Sequence, residues 1–435
     1  MPRRPASDSR TVIILGAGAA GLAACRALLR AGCPVVLLEA RQRAGGRADT
    51  RPDPALGVSV ERGAEFVHGL PPLVKRLARE ARAPLLAVPD RHRVIVPRGA
   101  GTPGAAFARA QALLSRAEDD GESVQDFLAR TGRGAGPGVT AMARSFVEGF
   151  YLADPRRASA GAIARMGHAL ETIGAERSYR TVGGWAGLLA PLTAAARDAG
   201  ALRLGVRATR VRWAAGRVEV EARGLAGGPM APVGGARLLV TLPVGVLRAG
   251  AVRFSPAPGN ARAWARLEMG PVVKVLLRFR RPPFDPARGP TFLHLPGAPV
   301  PVFWTQAPRP TPLLIGWAGG PRAVRLSGRP AGDVVRAALR GLAPAFRLAP
   351  GALEDRLEGA EVIDWSADPL AGGGYAVFPP GSAGVAEALA RPVQGTLFFA
   401  GEATEPDFAG TVDGALRSGE RAAREVLASL QGPRS

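Results

Sequence analysis

Lysine is nearly absent from this sequence: of 57 basic residues only Lys75 and Lys274 are lysines, and the rest are arginine. Exchanging lysine for arginine on a solvated surface costs little. A lysine kept inside an apolar stretch therefore marks a place where the planar, forked guanidinium does not serve. Cysteine is as scarce. Cys25 and Cys33 are the only two, too few for a disulfide framework. Cys25 falls in a predicted helix as a small buried hydrophobe, and neither cysteine is read as catalytic. There are four histidines. His92, His168 and His294 lack ligand spacing, so no metal is expected. No serine stands in a nucleophile elbow. No apolar run reaches the roughly 20 residues of a membrane span. These absences argue against disulfide-stapled, metal-dependent, serine-hydrolase and membrane-spanning classes.

What is present is ordinary globular material. Apolar residues make up 47% and charged residues 21% of 435 positions, which favours two domains, or three, with a sizeable core. The formal net charge is +21. The arginines are scattered among Ala, Gly and Pro rather than blocked, and no aromatic residues interleave with a basic stripe. No specific nucleic-acid partner is expected, only weak, salt-sensitive adhesion. Met1 to Arg10 is basic, and the apolar run after it mimics a signal-peptide core. That run also reads as the strand and glycine turn of a nucleotide-binding unit, which cleavage would destroy. The expectation is a cytoplasmic monomer or homodimer with no membrane partner.

Thr11–Leu15 reads as a buried strand, Ala19–Arg30 as a helix, and Pro34–Leu38 as a second strand. Helices are expected over 71–83, around Gln111 and Val124, and over 139–152, 159–168 and 184–200. Val94–Val96 is expected as a strand. Leu202–Trp213 and Arg217–Ala222 read as a hairpin, and Leu238–Leu242, Val272–Phe279, Leu313–Trp317 and Thr396–Ala400 as further strands. Val334–Leu342 and a last segment from about Thr411 to Leu430 read as helices. The Pro/Gly-rich stretches 224–235, 280–301 and 307–312 read as surface loops. The expected class is α/β (α+β overall), a Rossmann-like domain with a discontinuous second domain of mixed sheet and helices. Residues 10–90, 184–258 and 360–430 are assigned to the nucleotide domain, and 91–183 and 259–359 to the substrate domain.

Residues 16–21 read G-A-G-A-A-G. Gly16 permits the tight turn after the strand, Gly18 lets backbone approach a pyrophosphate, and Gly21 lets helix and sheet pack closely. Ala19 and Ala20 begin the helix, whose unpaired N–H groups and positive dipole end suit phosphates. Glu39 ends the second strand about twenty residues on, where an acceptor meets ribose hydroxyls. A glycine-rich turn in an Ala/Gly-rich protein would not explain Glu39. Arg41, Gly45, Gly46 and Arg47 then form a second glycine turn whose guanidiniums suit a pyrophosphate.

The segment E-A-R-Q-R-A-G-G-R resembles the one that follows the fingerprint in flavin-containing amine oxidases, the family of monoamine oxidases, polyamine oxidases and the lysine-specific histone demethylase. G-A-E-F-V-H-G at 63–69 resembles the polyamine-oxidase motif against the flavin. G-G-W at 183–185, T-L-P-V-G-V-L at 241–247, W-S-A-D-P-L-A-G-G-G-Y at 365–375, F-A-G-E-A-T at 399–404 and T-V-D-G-A-L-R-S-G-E-R-A-A at 411–423 follow in family order. The stretch 90–180 matches poorly, as befits a substrate-facing insertion. The resemblance implies FAD, with contacts from Gly16, Gly18, Ala19, Ala20, Gly21, Glu39, Ala40, Arg41, Gly46, Arg47, Gly63, Ala64, Glu65, Phe66, Val206, Trp365, Gly401, Glu402, Thr411 and Val412. The cysteine that carries a covalent flavin in monoamine oxidases is Gly374 here, so the FAD is expected to be non-covalent.

Three residues are candidates for the chemistry. Lys274 lies in the apolar strand P-V-V-K-V-L-L-R-F, where an unpaired ammonium is expensive; the resemblance implies a water-bridged contact to flavin N5. Tyr375 follows three glycines, and the resemblance implies a ring face presented to the amine, with cation–π attraction as the benefit. The partner aromatic of the monoamine-oxidase cage is Thr411 here. His68 is read either as an imidazole that deprotonates an ammonium or as a structural histidine. Glu65 is expected at the cofactor or the site mouth rather than in the chemistry. The implied reaction is hydride transfer from the carbon α to an amine nitrogen onto the flavin, imine hydrolysis to an aldehyde, and reoxidation by O2 to hydrogen peroxide. The partners are then a small-molecule amine, a polyamine among the choices, and O2. An L-amino acid oxidase, which would use an arginine for the substrate carboxylate, stays open. So does a basic nucleic-acid-associated protein with structural FAD. Carotenoid desaturases and protoporphyrinogen oxidases share the N-terminal fingerprint, but Lys274 with Tyr375 weighs against them.

Overall fold

The computed structural model describes residues 10–95, 103–118 and 121–431. Apart from Arg10, the basic start of the sequence lies outside them. At its centre is a five-stranded, all-parallel sheet in the order 397–399, 237–240, 12–15, 35–39, 202–204. Both faces are covered, which is why its strands read as unbroken apolar runs. Val12, Ile14, Leu37, Leu239 and Phe398 face the helices at 19–30, 184–198 and 412–431. Ile13, Leu15, Leu38, Leu238 and Val240 face a four-stranded β layer (207–214, 217–223, 233–235, 253–255) through Val211, Trp213, Val218 and Val220. The last helix crosses the first so closely that a Cβ on Gly419 would stand 2.2 Å from the Ala20 carbonyl.

A second sheet has six strands in the order 357–364, 272–279, 313–319, 302–305, 292–294, 92–94. It is antiparallel except where 92–94 runs parallel to 292–294. Its strand 272–279 alternates. Val273, Val275, Leu277 and Phe279 pack under the helix 331–342. Val272 and Leu276 face Trp304, Ile315, Ile363 and Trp365 on the other side. Period two puts Lys274 on that second face, where the sheet meets the nucleotide unit.

The helix 19–30 and the strand 272–279 occur at the expected residues. Four expectations change. The strand expected over 202–213 breaks at Gly205 (φ +70°), so 202–204 joins the parallel sheet while 207–214 joins the β layer. The loops expected at 224–235 and 280–301 contain short strands at 233–235 and 292–294. The strand expected at 94–96 lies at His92–Val94, and Val96 falls outside the described residues. The division expected at 359/360 would cut the strand 357–364, which pairs throughout with 272–279; the change of sheet follows that strand. Among the described residues no helix is long and apolar enough to cross a membrane.

Candidate active site

The glycine turns form a cradle that side chains would fill. Gly16 has φ +98°, and a Cβ on Gly21 would stand 1.9 Å from the Gly16 carbonyl. The Gly45 N–H donates to the Ala17 carbonyl (2.8 Å) and Gly18 bridges Gly45, so the two turns lie side by side. A Cβ on Gly46 would reach 3.3 Å from the Gly18 Cα. The first i→i−4 bond of the helix is Leu22 N–H to the Gly18 carbonyl, so the N–H groups of Ala19, Ala20 and Gly21 precede it, as a phosphate site requires. Glu39 is buried. Its carboxylate accepts from the N–H groups of Ala17 and Arg41, both at 2.8 Å, with lone pairs left for ribose hydroxyls. Ala40 is the step between them. Val206 donates its N–H to the Glu39 carbonyl (2.8 Å), which fixes the far side of the cradle. Thr241, whose role the sequence does not announce, donates to the Leu15 and Gly16 carbonyls (2.8 and 2.9 Å) and braces the turn. These donors and this bare backbone fit a dinucleotide.

The two guanidiniums of the second turn are already engaged. Arg41 pairs with Asp368 (2.8 Å) and lies 5.9 Å over the Trp365 ring. Arg47 donates to Glu402 (2.8 Å) and to the Gly374 carbonyl (2.6 Å). The other Glu402 oxygen accepts from the N–H groups of Ala376 and Gly410 (3.3 and 3.1 Å). One buried carboxylate thus ties the cofactor turn, the segment after Tyr375 and the approach to the last helix. Gly401 is held by Ser418 (2.9 Å). Thr411 caps the last helix, accepting from Gly414 N–H (2.8 Å) ahead of Val412.

The strap 63–66 links the cradle to the lysine. A Cβ on Gly63 would collide with the Arg47 carbonyl at 1.8 Å and would crowd Trp365. Ala64 donates to that same carbonyl (3.1 Å). Trp365 donates from its indole to the Arg62 carbonyl (3.0 Å). Lys274 is fully buried. Its ammonium donates to the Glu61 carbonyl (2.6 Å), the Gly63 carbonyl (3.2 Å) and the Glu65 carboxylate (2.6 Å). Three N–H donors meet three protein acceptors. A water-bridged contact of the kind expected for Lys274 therefore competes with one of them, and the longest is Gly63. Glu65 also accepts from Arg180 (2.6 Å) and Gln306 (3.1 Å). Burial alone would raise the Glu65 carboxyl, but the Lys274 ammonium and Arg180 guanidinium beside it hold it below the usual range. Arg180 and Gln306 were not singled out by sequence; one arginine among so many carries no signal. Arg180 spends Nε on Ala307, Nη1 on Glu65 and Nη2 on Thr305, and lies 4.6 Å over Phe66.

Tyr375 donates its hydroxyl to the Phe150 carbonyl. Burial first, then Tyr151 and Glu402, push its phenol above the usual range. A Cβ on Gly410 would press on its ring at 2.9 Å, so that glycine admits the tyrosine. A small apolar hollow adjoins Tyr375, lined by Tyr151, Ile163, Met166 and Phe378 among others. His68 lies 3.3 Å from the Ser178 hydroxyl and edge-on to Phe150. Burial pushes its imidazole down to about 4. It is neutral near pH 7 and a poor base for an amine, which favours its reading as a structural histidine. Cys25, pushed up to about 12 by burial, is inert. Among the described residues no group of three or more His, Cys, Asp or Glu side chains is placed to hold a metal.

Comparison with known proteins agrees with this geometry. The sequence model described as flavin containing amine oxidoreductase matches residues 19–427. Lysine-specific histone demethylase 1 homolog 2 of Arabidopsis thaliana is 26% identical, over 96% of this chain and 58% of its own length. Lysine-specific histone demethylase 1 homolog 1 of Oryza sativa subsp. japonica is 28% identical, over 97% of this chain and 53% of its own. The chain thus spans about half the length of the curated relatives it matches. Among solved structures, cyclohexylamine oxidase from Brevibacterium oxydans superposes with a TM-score of 0.80 at 24% identity, covering 97% of this chain and 99% of that one. A wild-type putrescine oxidase bound to putrescine gives 0.79 at 22%, covering 96% and 99%. These two share the fold.

Proposed function

Because this chain belongs to the flavin-containing amine oxidoreductase family, we propose that it holds FAD non-covalently and oxidises a primary or secondary amine to an imine, which water then splits to an aldehyde or ketone. The observation that carries this reading is the strap 63–66, which rests on the cofactor turn at Arg47 and at the same time grips the buried Lys274. The sequence has no cysteine beyond Cys33, so the thiol of a covalent flavin link has no source near Tyr375. Bound FAD would supply the two-electron acceptor for the hydride lost from the carbon next to nitrogen, with O2 as the terminal oxidant and hydrogen peroxide as its product.

The chain's own residues do the rest. The first-turn N–H groups of Ala19 and Ala20 bind the pyrophosphate, and Glu39 binds the ribose. Trp365, with Arg41 over it, walls the flavin side. The Tyr375 ring, fixed by its bond to Phe150, orients the amine. The surrounding apolar walls strip water from the incoming ammonium and so lower its pKa, which favours the neutral form that gives up hydride. Lys274, clamped by Glu65, is a fixed positive centre beneath the site. Arg180 has no free N–H fork for a substrate carboxylate, which argues against the amino-acid oxidase reading at this arginine. A demethylase reading is favoured by the names of the curated relatives; the +21 charge works against docking a basic peptide tail.

The test is the visible spectrum of purified protein, then anaerobic bleaching with a panel of amines, amino acids and a methyl-lysine peptide. A flavin spectrum bleached by simple amines is expected, with Lys274→Met bleaching more slowly. Protein that takes up no FAD refutes the proposal. Unchanged bleaching in Lys274→Met removes the lysine from the chemistry.

A further inference from the structure

Seven rings touch one another in a closed circuit beside Tyr375. His92 contacts Phe107 (centroids 6.4 Å apart), Phe107 contacts Phe146 (5.3 Å), and Phe146 stacks on Phe150 (5.0 Å). Phe150 meets His68 (5.5 Å), His68 meets Phe66 (6.2 Å), Phe66 meets Phe292 (5.7 Å), and Phe292 stacks back on His92 (4.7 Å). Five separate stretches of the chain build it: the strap with His68 just after it, the strand 92–94, the helix 103–114 through Phe107, the helix 137–150 and the strand 292–294. None of the seven is fully buried, and the exposure is graded. His92 is exposed, the six others half-buried. Apolar rings that close on one another yet stay partly accessible form an aromatic surface open to solvent rather than a sealed core.

The inner arc of the circuit reaches Lys274 and Tyr375. The Phe150 carbonyl receives the Tyr375 hydroxyl. Phe66 meets Trp304 (5.5 Å), and the Lys274 ammonium lies 5.6 Å over the Trp304 ring. Three carboxylates beside the circuit are engaged: Glu65 is shared by Lys274 and Arg180, Glu148 is paired with Arg322 (3.3 Å), and the exposed Asp90 stands 2.8 Å from His92.

We infer that this aromatic circuit is the substrate passage, and that it selects monoamines with an apolar body, cyclic or alkyl, over diamines and polyamines. The inference rests on the amine-oxidase reading and narrows it. Ring faces attract one ammonium on arrival. The wall then buries the apolar body of the substrate, which is favourable over its whole area. A second ammonium inside the passage would be desolvated with no anion to pair with, and that is costly.

The experiment is anaerobic flavin bleaching of the FAD-loaded protein with cyclohexylamine and benzylamine against putrescine and spermidine. Half-saturation for the apolar monoamines is expected at concentrations about thirty-fold lower or better, the factor set by one unpaired buried charge. Phe146→Glu, which puts a carboxylate into the wall, should move the putrescine-to-cyclohexylamine ratio toward putrescine by about tenfold. Phe292→Leu, which opens the circuit but keeps it apolar, should preserve the order of preference. Putrescine bleaching the wild type as well as cyclohexylamine does overturns the inference. So does an unchanged ratio in a folded, yellow Phe146→Glu protein, or a reversed order in Phe292→Leu. If FAD is bound and no amine bleaches it, the oxidase reading itself falls, and this inference with it.

Discussion

Replacing Glu65 with glutamine should damage the protein more than replacing Lys274 with methionine, although each change breaks the same 2.6 Å ion pair. The reason is the count of buried charges. Glu65 stands between two cations, Lys274 and Arg180, each 2.6 Å away. Lys274→Met leaves the carboxylate paired with Arg180 and still bonded to Gln306. Its cost is chiefly the lost donor to the Glu61 carbonyl, about 1–3 kcal/mol for a buried acceptor left unmet, the longer Gly63 contact (3.2 Å) adding less. Glu65→Gln leaves an ammonium and a guanidinium buried together with no anion between them, about 3–5 kcal/mol. The expected gap is about 2 kcal/mol. At roughly 2–4 °C per kcal/mol for large domains, Glu65→Gln should melt about 5 °C below Lys274→Met. The assay is an apparent melting temperature from tryptophan fluorescence at one FAD concentration and one salt, because bound ligand adds stability of its own. Adding Lys274→Met to Glu65→Gln should raise the melting point again, since it removes the surplus cation. Glu65→Gln melting at or above Lys274→Met would refute the reasoning. So would a double variant less stable than Glu65→Gln alone.

Burial lifts the Glu61 carboxyl to about 7, against the pull of the Trp185 N–H, the Thr50 hydroxyl and Lys274. The native state then keeps a proton that the unfolded chain gives up. The stability this group contributes is present below the ordinary value of 4.5 and is lost as pH rises through about 7. Glu61→Gln should flatten the urea midpoint between about pH 5 and pH 8, and a midpoint that falls as steeply as in wild type counts against it. Gly63→Ala drives a Cβ to 1.8 Å from the Arg47 carbonyl; the flavin-to-protein absorbance ratio should fall below about a tenth of wild type, since backbone must shift to admit it. A full ratio would mean the strap is not part of the cofactor wall. His68→Phe should leave the shape of the pH profile of flavin reduction unchanged, because an imidazole at about 4 is already neutral; loss of a limb between about pH 6 and pH 8 would restore the histidine as a base.

The parts of this fold legible in the sequence are those set by local rules. Gly16, Gly18 and Gly21 fix the turn and the start of the helix 19–30, and that helix occupies the expected residues. Strand 272–279 stands out because both its faces are buried, so it reads as one apolar run with a lysine in it. The edge of that sheet is hidden for the converse reason. Leu357–Asp364 reads L-E-G-A-E-V-I-D, carries three acids, and is half-buried to exposed along most of its length. Only pairing with 272–279 makes it a strand. The break at Gly205 is also silent, because Leu202–Trp213 keeps strand-like residues on both sides of a glycine whose positive φ cannot be read from its identity. In the site, the cradle was legible and its bracing was not. Arg180 lies 115 residues from Glu65, and nothing in its neighbourhood separates it from the other arginines.

The three acceptors around Lys274 explain why this position holds one of two lysines in an arginine-rich chain. The Glu61 carbonyl, the Gly63 carbonyl and the Glu65 carboxylate surround one nitrogen at 2.6–3.2 Å. A compact ammonium offers three rotatable donors to such a group, whereas a guanidinium spreads its donors across a plane and needs room that a fully buried strand position lacks. Two of those acceptors, the Gly63 carbonyl and the Glu65 carboxylate, belong to the strap that rests on the Arg47 turn, so lysine geometry and cofactor cradle are mechanically one unit. The longest of the three contacts, to Gly63, belongs to the residue that also abuts the Arg47 carbonyl. Any shift of the cradle on loading therefore bears first on that bond, the one Lys274 would release to turn a donor toward the flavin.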